Sequence, residues 1–229
     1  MKFPNFSLSL FHKSAEDFNT IVGYDDVKNI IRRALDSEES FNLLLWGEPA
    51  SSKTLFLLQL AKQKGSVFFD CTNTTSRILD VLEQERKIIL LDEIDKFSKS
   101  WQNKLLSLLE GGRIKIDQQK KQYGFTIKGT KVFATANDLN KLSAPLRSRF
   151  RRLHLPKYTK KQFLEITIKV CPKLSQETAL LIGEEIWKSQ GDIRDVISIG
   201  MLVRKNDGPE EVEQIISTMA KYGNERALN

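Results

Sequence analysis

The residues with the types and spacing for phosphate chemistry stand together at Gly47, Glu48, Pro49, Ala50, Ser51, Ser52, Lys53 and Thr54. A loop of small residues that leads into a helix turns successive backbone N–H groups toward an anion before any side chain contributes. The Lys53 ammonium would reach the terminal phosphates, and the Thr54 hydroxyl would coordinate Mg²⁺. The pattern G-x-x-x-x-G-K-[ST] is met except at Ser52, which stands where the second glycine belongs. That glycine admits close backbone approach and unusual torsions, so Ser52 is expected to take the same conformation with some strain.

A second group, Asp92 and Glu93, closes the apolar run Ile88 to Leu91. Acids at the C-terminal end of a buried parallel strand lie where an open α/β sheet puts its ligands. Asp92 is expected to hold Mg²⁺ through water, and Glu93 to orient or deprotonate an attacking water. Such a strand end also fits a plain solvated turn, but following a phosphate loop it reads as part of the same site. A third polar group, Asn137, ends the run Lys131 to Ala136 and is placed to hydrogen-bond that water.

These side chains need a framework, and the apolar pattern supplies one. Phe41 to Trp46, Val67 to Phe69, Lys87 to Leu91, Lys131 to Ala136 and Arg151 to Pro156 read as strands. Leu55, Phe56, Leu58, Leu60 and Ala61 read as a helix packed on the sheet, and Val27, Ile30, Ile31 and Ala34 as the apolar face of another. Ser76 caps a short helix carrying Ile78, Leu79 and Leu82, and Ser98 to Glu110 forms a longer one closed by Gly111. Arg113 to Ile116 and Phe125 to Lys128 alternate around a polar tip, which predicts a basic hairpin or a simple surface one. From Tyr158 onward the period is helical throughout, in four helices, the last opened by Pro209. The expected fold is therefore α/β: a P-loop, parallel-sheet nucleotide domain over residues 1–156, followed by a small all-α domain over 157–229. Residues 1–18 read as an arm packed along the first domain.

The chain has 229 residues, 40% of them apolar and 28% charged, ordinary values for a globular protein with a core of its own. No apolar run approaches the roughly 20 residues of a spanning helix, and Met1 to His12 lack the pattern of a cleaved leader. Cys71 and Cys171 stand far apart, as do His12 and His154. The expectation is reduced thiols in a cytoplasmic protein, no membrane, and no metal held by cysteine or histidine. The net charge is +7, and the window Arg113 to Arg152 holds eleven Lys or Arg against two Asp. That block fits a surface facing nucleic acid, or equally a solvated basic face with nucleotide-facing arginines.

The order of these motifs resembles that of the AAA+ ATPases, from about Phe18 to the end of the chain. It runs from phosphate loop through Asp-Glu strand end and polar sensor to Leu146-Arg147-Ser148-Arg149-Phe150, then Gly191-Asp192-Ile193-Arg194 in a helical lid. Leu106 to Asn137 and the Pro145 to Phe150 segment further resemble the bacterial Holliday-junction branch-migration motor of the RuvB type. The resemblance implies ATP and Mg²⁺ as cofactors, with Ile21, Val22 and Gly23 on the adenine side and Gly47 to Leu55 on the phosphates. It makes Arg149 a finger reaching the neighbouring subunit's site, with Arg147 its competitor, and Arg194 a sensor of the γ-phosphate. It also implies a homo-oligomer, a hexamer, acting as a helicase-like motor on DNA.

Three positions depart from the RuvB type. Ser52 is closer to minichromosome maintenance helicases, Asn137 stands for a threonine, and only Gly223 to Asn229 stand where a winged-helix DNA-binding domain would follow. DNA binding is therefore expected from the hairpin and basic window, or from a protein adaptor. The alternatives are a protein-remodelling AAA+ chaperone and an ATP-dependent, clamp-loader-like switch.

Overall fold

The computed structural model describes residues 18–73, 87–110, 113–116, 121–124, 129–204 and 207–223. The chain divides into two compact units, Met1–Lys157 and Tyr158–Asn229.

The first unit is built on five parallel strands: β1 (Phe41–Trp46), β2 (Ser66–Asp70), β3 (Ile88–Asp92), β6 (Lys131–Ala136) and β7 (Arg151–His154), in the order β2-β3-β6-β1-β7. β6 is buried along its whole length, as are Leu43 to Leu45 of β1 and Ile88 to Leu91 of β3. Side chains alternate across the pleat, so each strand feeds two cores. Leu44, Ile89, Leu91, Val132 and Ala134 join one, covered by Leu105, Leu108 and Leu109 of α3 (Lys99–Leu109) and by Leu146 of α4 (Ala144–Ser148). Leu43, Leu45, Leu90 and Phe133 join the other, covered by Val27, Ile31 and Ala34 of α1 (Asp25–Asp36) and Phe56, Leu57 and Leu60 of α2 (Lys53–Leu60). Each fully buried Leu or Phe contributes about 1.5–3 kcal/mol relative to exposure. This two-sided burial holds the carboxyl ends of β1, β3 and β6 side by side.

The expected helix faces need adjustment. Ile30, Leu55 and Leu58 are exposed, while Leu57 is fully buried. The core face of α2 follows Phe56, Leu57 and Leu60, and at its first turn the chain must also shape a loop.

The hairpin is shorter than the alternation suggests. β4 (Arg113–Ile116) pairs antiparallel with β5 (Lys121–Gly124), from Arg113 opposite Gly124 to Ile116 opposite Lys121. Pairing with 125–128 would leave twice as many residues in the connection, and the shorter loop costs less closure entropy. Residues 125–128, Gly111, the Ser76 helix and the arm to residue 17 lie outside the described residues.

The second unit is helical: α5 (Lys160–Val170), α6 (Gln176–Lys188), α7 (Ile193–Leu202) and α8 (Pro209–Gly223). Its starts are set by side-chain caps. Thr159 and Gln162 form a capping box, Ser175 caps α6, and Asp192 with Asp195 forms a second box. Phe163, Ile166, Ile182, Ile186, Val196 and Ile199 make its core. Among the described residues, no helix is long and apolar enough to cross a membrane. Both cysteines are buried, and among the described residues neither forms a disulfide.

Candidate nucleotide site

The loop Gly47 to Ser52 connects the end of β1 to the start of α2. It begins at Gly47, with φ +154°, where a Cβ would lie 2.3 Å from the carbonyl oxygen of Leu155. No other residue fits there. Ala50 and Ser52 take left-handed torsions at φ +63° and +61°, so Ser52 adopts the conformation that glycine would take most cheaply. The backbone N–H groups at the start of α2 point off the helix end, which is what an anion requires.

Lys53 is 6% exposed. Its ammonium donates to the carbonyls of Gly47 at 2.8 Å and Glu48 at 2.7 Å, and to Ser51 Oγ at 3.1 Å. Ser51 Oγ in turn donates to Glu48 O at 2.8 Å. Burial pulls the Lys53 pKa down, against the opposing field of Asp92, Asp95, Glu93 and Glu48. The charge is thus enclosed by acceptors inside the loop.

Across from it, Thr54 Oγ1 donates to Asp92 Oδ1 at 3.1 Å and Oδ2 at 3.0 Å. Thr135 Oγ1 also donates to Asp92 Oδ1 and accepts from the Glu93 backbone N–H at 2.8 Å. Burial pushes the Asp92 carboxyl upward, and the two hydroxyl donors pull it back. Glu93 sits at φ +55°, a strained turn position that throws its side chain away from the strand line. There Asn137 Nδ2 donates to Glu93 Oε1 at 2.8 Å. A hydroxyl and one carboxylate are the modest protein share expected for Mg²⁺, which keeps waters and takes phosphate oxygens. Thr54 and Asp92 fit that ion; among the described residues no cluster of three or more His, Cys, Asp or Glu forms an all-protein cage.

Lys53, Thr54, Asp92, Glu93 and Asn137 are therefore brought together. Of the remaining expected residues, Ile21 and Val22 are buried in the first unit, and Gly23 turns at φ +70° before α1. Glu48, Pro49 and Leu55 are exposed, and Glu48 pairs with Lys157 at 2.6 Å, which lowers its pKa. Arg149 lies half-exposed and paired with Glu110 at the end of α3. Arg147, its competitor, is partly buried. Arg194 lies in the helical unit, where Nε donates to both oxygens of Asp192, at 3.1 and 3.0 Å.

Two contributors escaped the sequence reading: Thr135 and Asp95. Thr135 was legible as a hydroxyl inside an otherwise apolar strand. Asp95, two residues past Glu93 and 5% exposed, stood in plain view as a third acid of the Asp92 to Asp95 segment.

The model for an AAA domain (dynein-related subfamily) matches residues 70–150, from the end of β2 to the Arg149 segment. Mutant forms of RuvB from Thermotoga maritima share the fold: one gives a TM-score of 0.69 at 22% identity, covering 91% of this chain and 73% of that one. A second gives 0.67 at 21% identity over 92% and 73%. Residues 70–150 thus resemble an AAA domain, and the fold, a P-loop parallel-sheet unit followed by a helical region, is like that of RuvB.

Sequence relatives lie at comparable identity. An uncharacterized protein of Thermotoga maritima is 27% identical over 231 residues, 92% of this chain and 36% of that protein. Human replication factor C subunit 5 is 23% identical over 80% of this chain and 56% of its own length. Subunit 3 from Saccharomyces cerevisiae is 24% identical over 86% and 60%. The chain thus spans between about a third and three-fifths of these relatives.

Proposed function

We propose that this chain is an ATP-hydrolysing motor subunit that acts on DNA as a homo-oligomer. One observation carries the reading: the Thr54 hydroxyl on the Asp92 carboxylate joins the phosphate loop to the acid strand end, beside a Glu93 held by Asn137.

The loop Gly47 to Leu55 would take the phosphates of ATP, with the base near Ile21, Val22 and Gly23. Lys53 would exchange the carbonyls of Gly47 and Glu48 for phosphate oxygens. Thr54 and Asp92 would hold Mg²⁺, which when bound neutralises charge on the phosphates. Glu93 orients the water and accepts its proton, a role worth about 10²–10⁴ in rate. Asn137 holds that carboxylate in place. Arg149 serves the neighbouring subunit's site, where an arginine finger is worth about 10³–10⁵. Arg194 senses the γ-phosphate from the helical unit. Such composite chemistry needs a ring or arc, for which we take six subunits in the cytoplasm.

The exposed basic residues of the window Arg113 to Arg152, Lys141, Arg151 and Arg152 among them, would face DNA, alone or with a protein adaptor. DNA bound through about five phosphates should lose affinity with a log–log salt slope near −4 to −5. A flat slope would remove DNA as the substrate. Similarity to replication factor C subunits, together with the left-handed Ser52, favours as second reading a clamp-loader-like switch in place of a processive motor. Processive translocation on duplex or junction DNA decides for the motor, and ATP binding without sustained turnover for the switch.

A further inference from the structure

The backbone ladder between β3 and β6 stops at Leu91 opposite Ala134. Past that pair, Glu93 leaves the strand direction and no β3–β6 backbone pair continues. Two side-chain bonds take over. Thr135 Oγ1 accepts the Glu93 backbone N–H at 2.8 Å, and Asp95 Oδ1 accepts the Asn137 backbone N–H at 3.1 Å. Each segment thus lends a side chain to the other's backbone.

Asp95 is anchored for this task. It lies in the short 3₁₀ turn Ile94–Lys96, whose Ile94 is fully buried in the core beneath the sheet. The other carboxylate oxygen, Oδ2, is buried and has no hydrogen-bond partner among the described residues. A buried carboxylate with one oxygen unsatisfied is costly to keep, and such a group needs a reason other than stability.

We propose that Asp95 is a positioning residue of this site, fixing the Asn137 backbone so that the Asn137 amide stays on Glu93 Oε1. The chain of contacts is short: Asp95 Oδ1 to Asn137 N–H, then Asn137 Nδ2 to Glu93 Oε1 at 2.8 Å. Without the first bond, residues 137–138 are free to turn and the second loses its fixed donor. Glu93, held at a strained φ of +55°, then lacks its orienting partner. The proposal rests on the reading of Glu93 as the group that acts on water.

The test uses the full chain with Asp95→Ala and Asp95→Asn beside Glu93→Gln. Asp95→Ala should lower kcat of ATP hydrolysis by about 10–100-fold, the usual cost of a displaced catalytic group, and leave ATP affinity within about twofold. Asp95→Asn keeps an acceptor at Oδ1 and should recover most of the rate; a role in bulk charge would not be rescued. Hydrogen exchange at the Asn137 backbone amide, read without nucleotide, is independent of turnover. It should speed up at least about tenfold in Asp95→Ala, stay slow in Asp95→Asn, and remain unchanged at Leu91 and Ala134. If Asp95→Ala fails to fold, Asp95→Leu, which keeps the branching at Cγ and cannot accept, replaces it. Unchanged exchange at Asn137 overturns the proposal, as does full turnover in Asp95→Ala where Glu93→Gln is dead. A wild-type chain without turnover defeats the ATPase reading alone, and the exchange result then decides whether Asp95 positions Asn137.

Discussion

The hydroxyl of Thr54 donates to both carboxylate oxygens of Asp92, at 3.1 and 3.0 Å, although 38 residues separate them in the chain. One residue opens α2 and the other ends β3, so this contact is where the phosphate loop meets the acids. Asp92 occupies that place at a cost, since burial pushes its pKa up from the ordinary 3.8.

The sign of that cost gives a prediction. A carboxyl whose folded pKa is raised favours the folded state fully only below the unfolded value, and loses that advantage as pH rises through the folded pKa. Asp92 should therefore weaken the fold at neutral pH. Asp92→Asn is expected to raise the denaturant midpoint at pH 7, with the gain shrinking as the pH falls toward 3.8. The same variant should lose Mg²⁺-dependent nucleotide binding. A lower midpoint at pH 7 would show that its two hydroxyl bonds outweigh desolvation.

Ser52 and Gly47 test the loop in opposite directions. Ser52→Gly relieves a left-handed residue and should stabilise by up to about 1 kcal/mol, the strain being partly offset by glycine's unfolded-state entropy. Gly47→Ala would drive a Cβ to 2.3 Å from a backbone carbonyl and should cost about 2–4 kcal/mol. Urea denaturation of the two variants reads both effects.

Glu93→Gln should keep ATP affinity within about twofold and lower turnover by about 100-fold or more. Asn137→Ala should fall between that variant and wild type, because Glu93 remains but loses its donor at 2.8 Å. Steady-state rates with a nucleotide-binding titration check the pair.

Arg149 and Glu110 form a half-exposed pair, so Glu110→Ala should shift stability by less than about 1 kcal/mol. Arg149→Ala should instead lower turnover by about 10³-fold. If the finger serves a neighbour, mixing Arg149→Ala with Glu93→Gln subunits should restore part of the rate, because mixed rings hold some intact sites. Mixtures as dead as either parent would contradict a finger acting on the neighbour's site.

The sheet was readable from β1, β3 and β6 because burial on both faces leaves continuous apolar runs that polar neighbours cannot imitate. The phosphate loop and the Asp92–Glu93 pair were readable for a related reason: each is contiguous in sequence. The Thr135 and Asp95 bonds were not, since both join segments 42 residues apart and exist only once the β3–β6 register is set. The hairpin shows the same limit. Arg113 to Ile116 alternates clearly, but its partner Lys121 to Gly124 does not, and it lies in what reads as the polar tip. Ile30 and Leu58 mark another, because a helical pattern records which residues are apolar and not how wide a face the sheet covers.

The most direct test of the central claim is the steady-state ATPase rate against protein concentration, with and without a four-way DNA junction. A DNA-directed ring whose sites are completed by neighbouring subunits should give a rate per subunit that rises steeply with concentration and rises further with the junction. A rate per subunit independent of concentration and indifferent to DNA would contradict it.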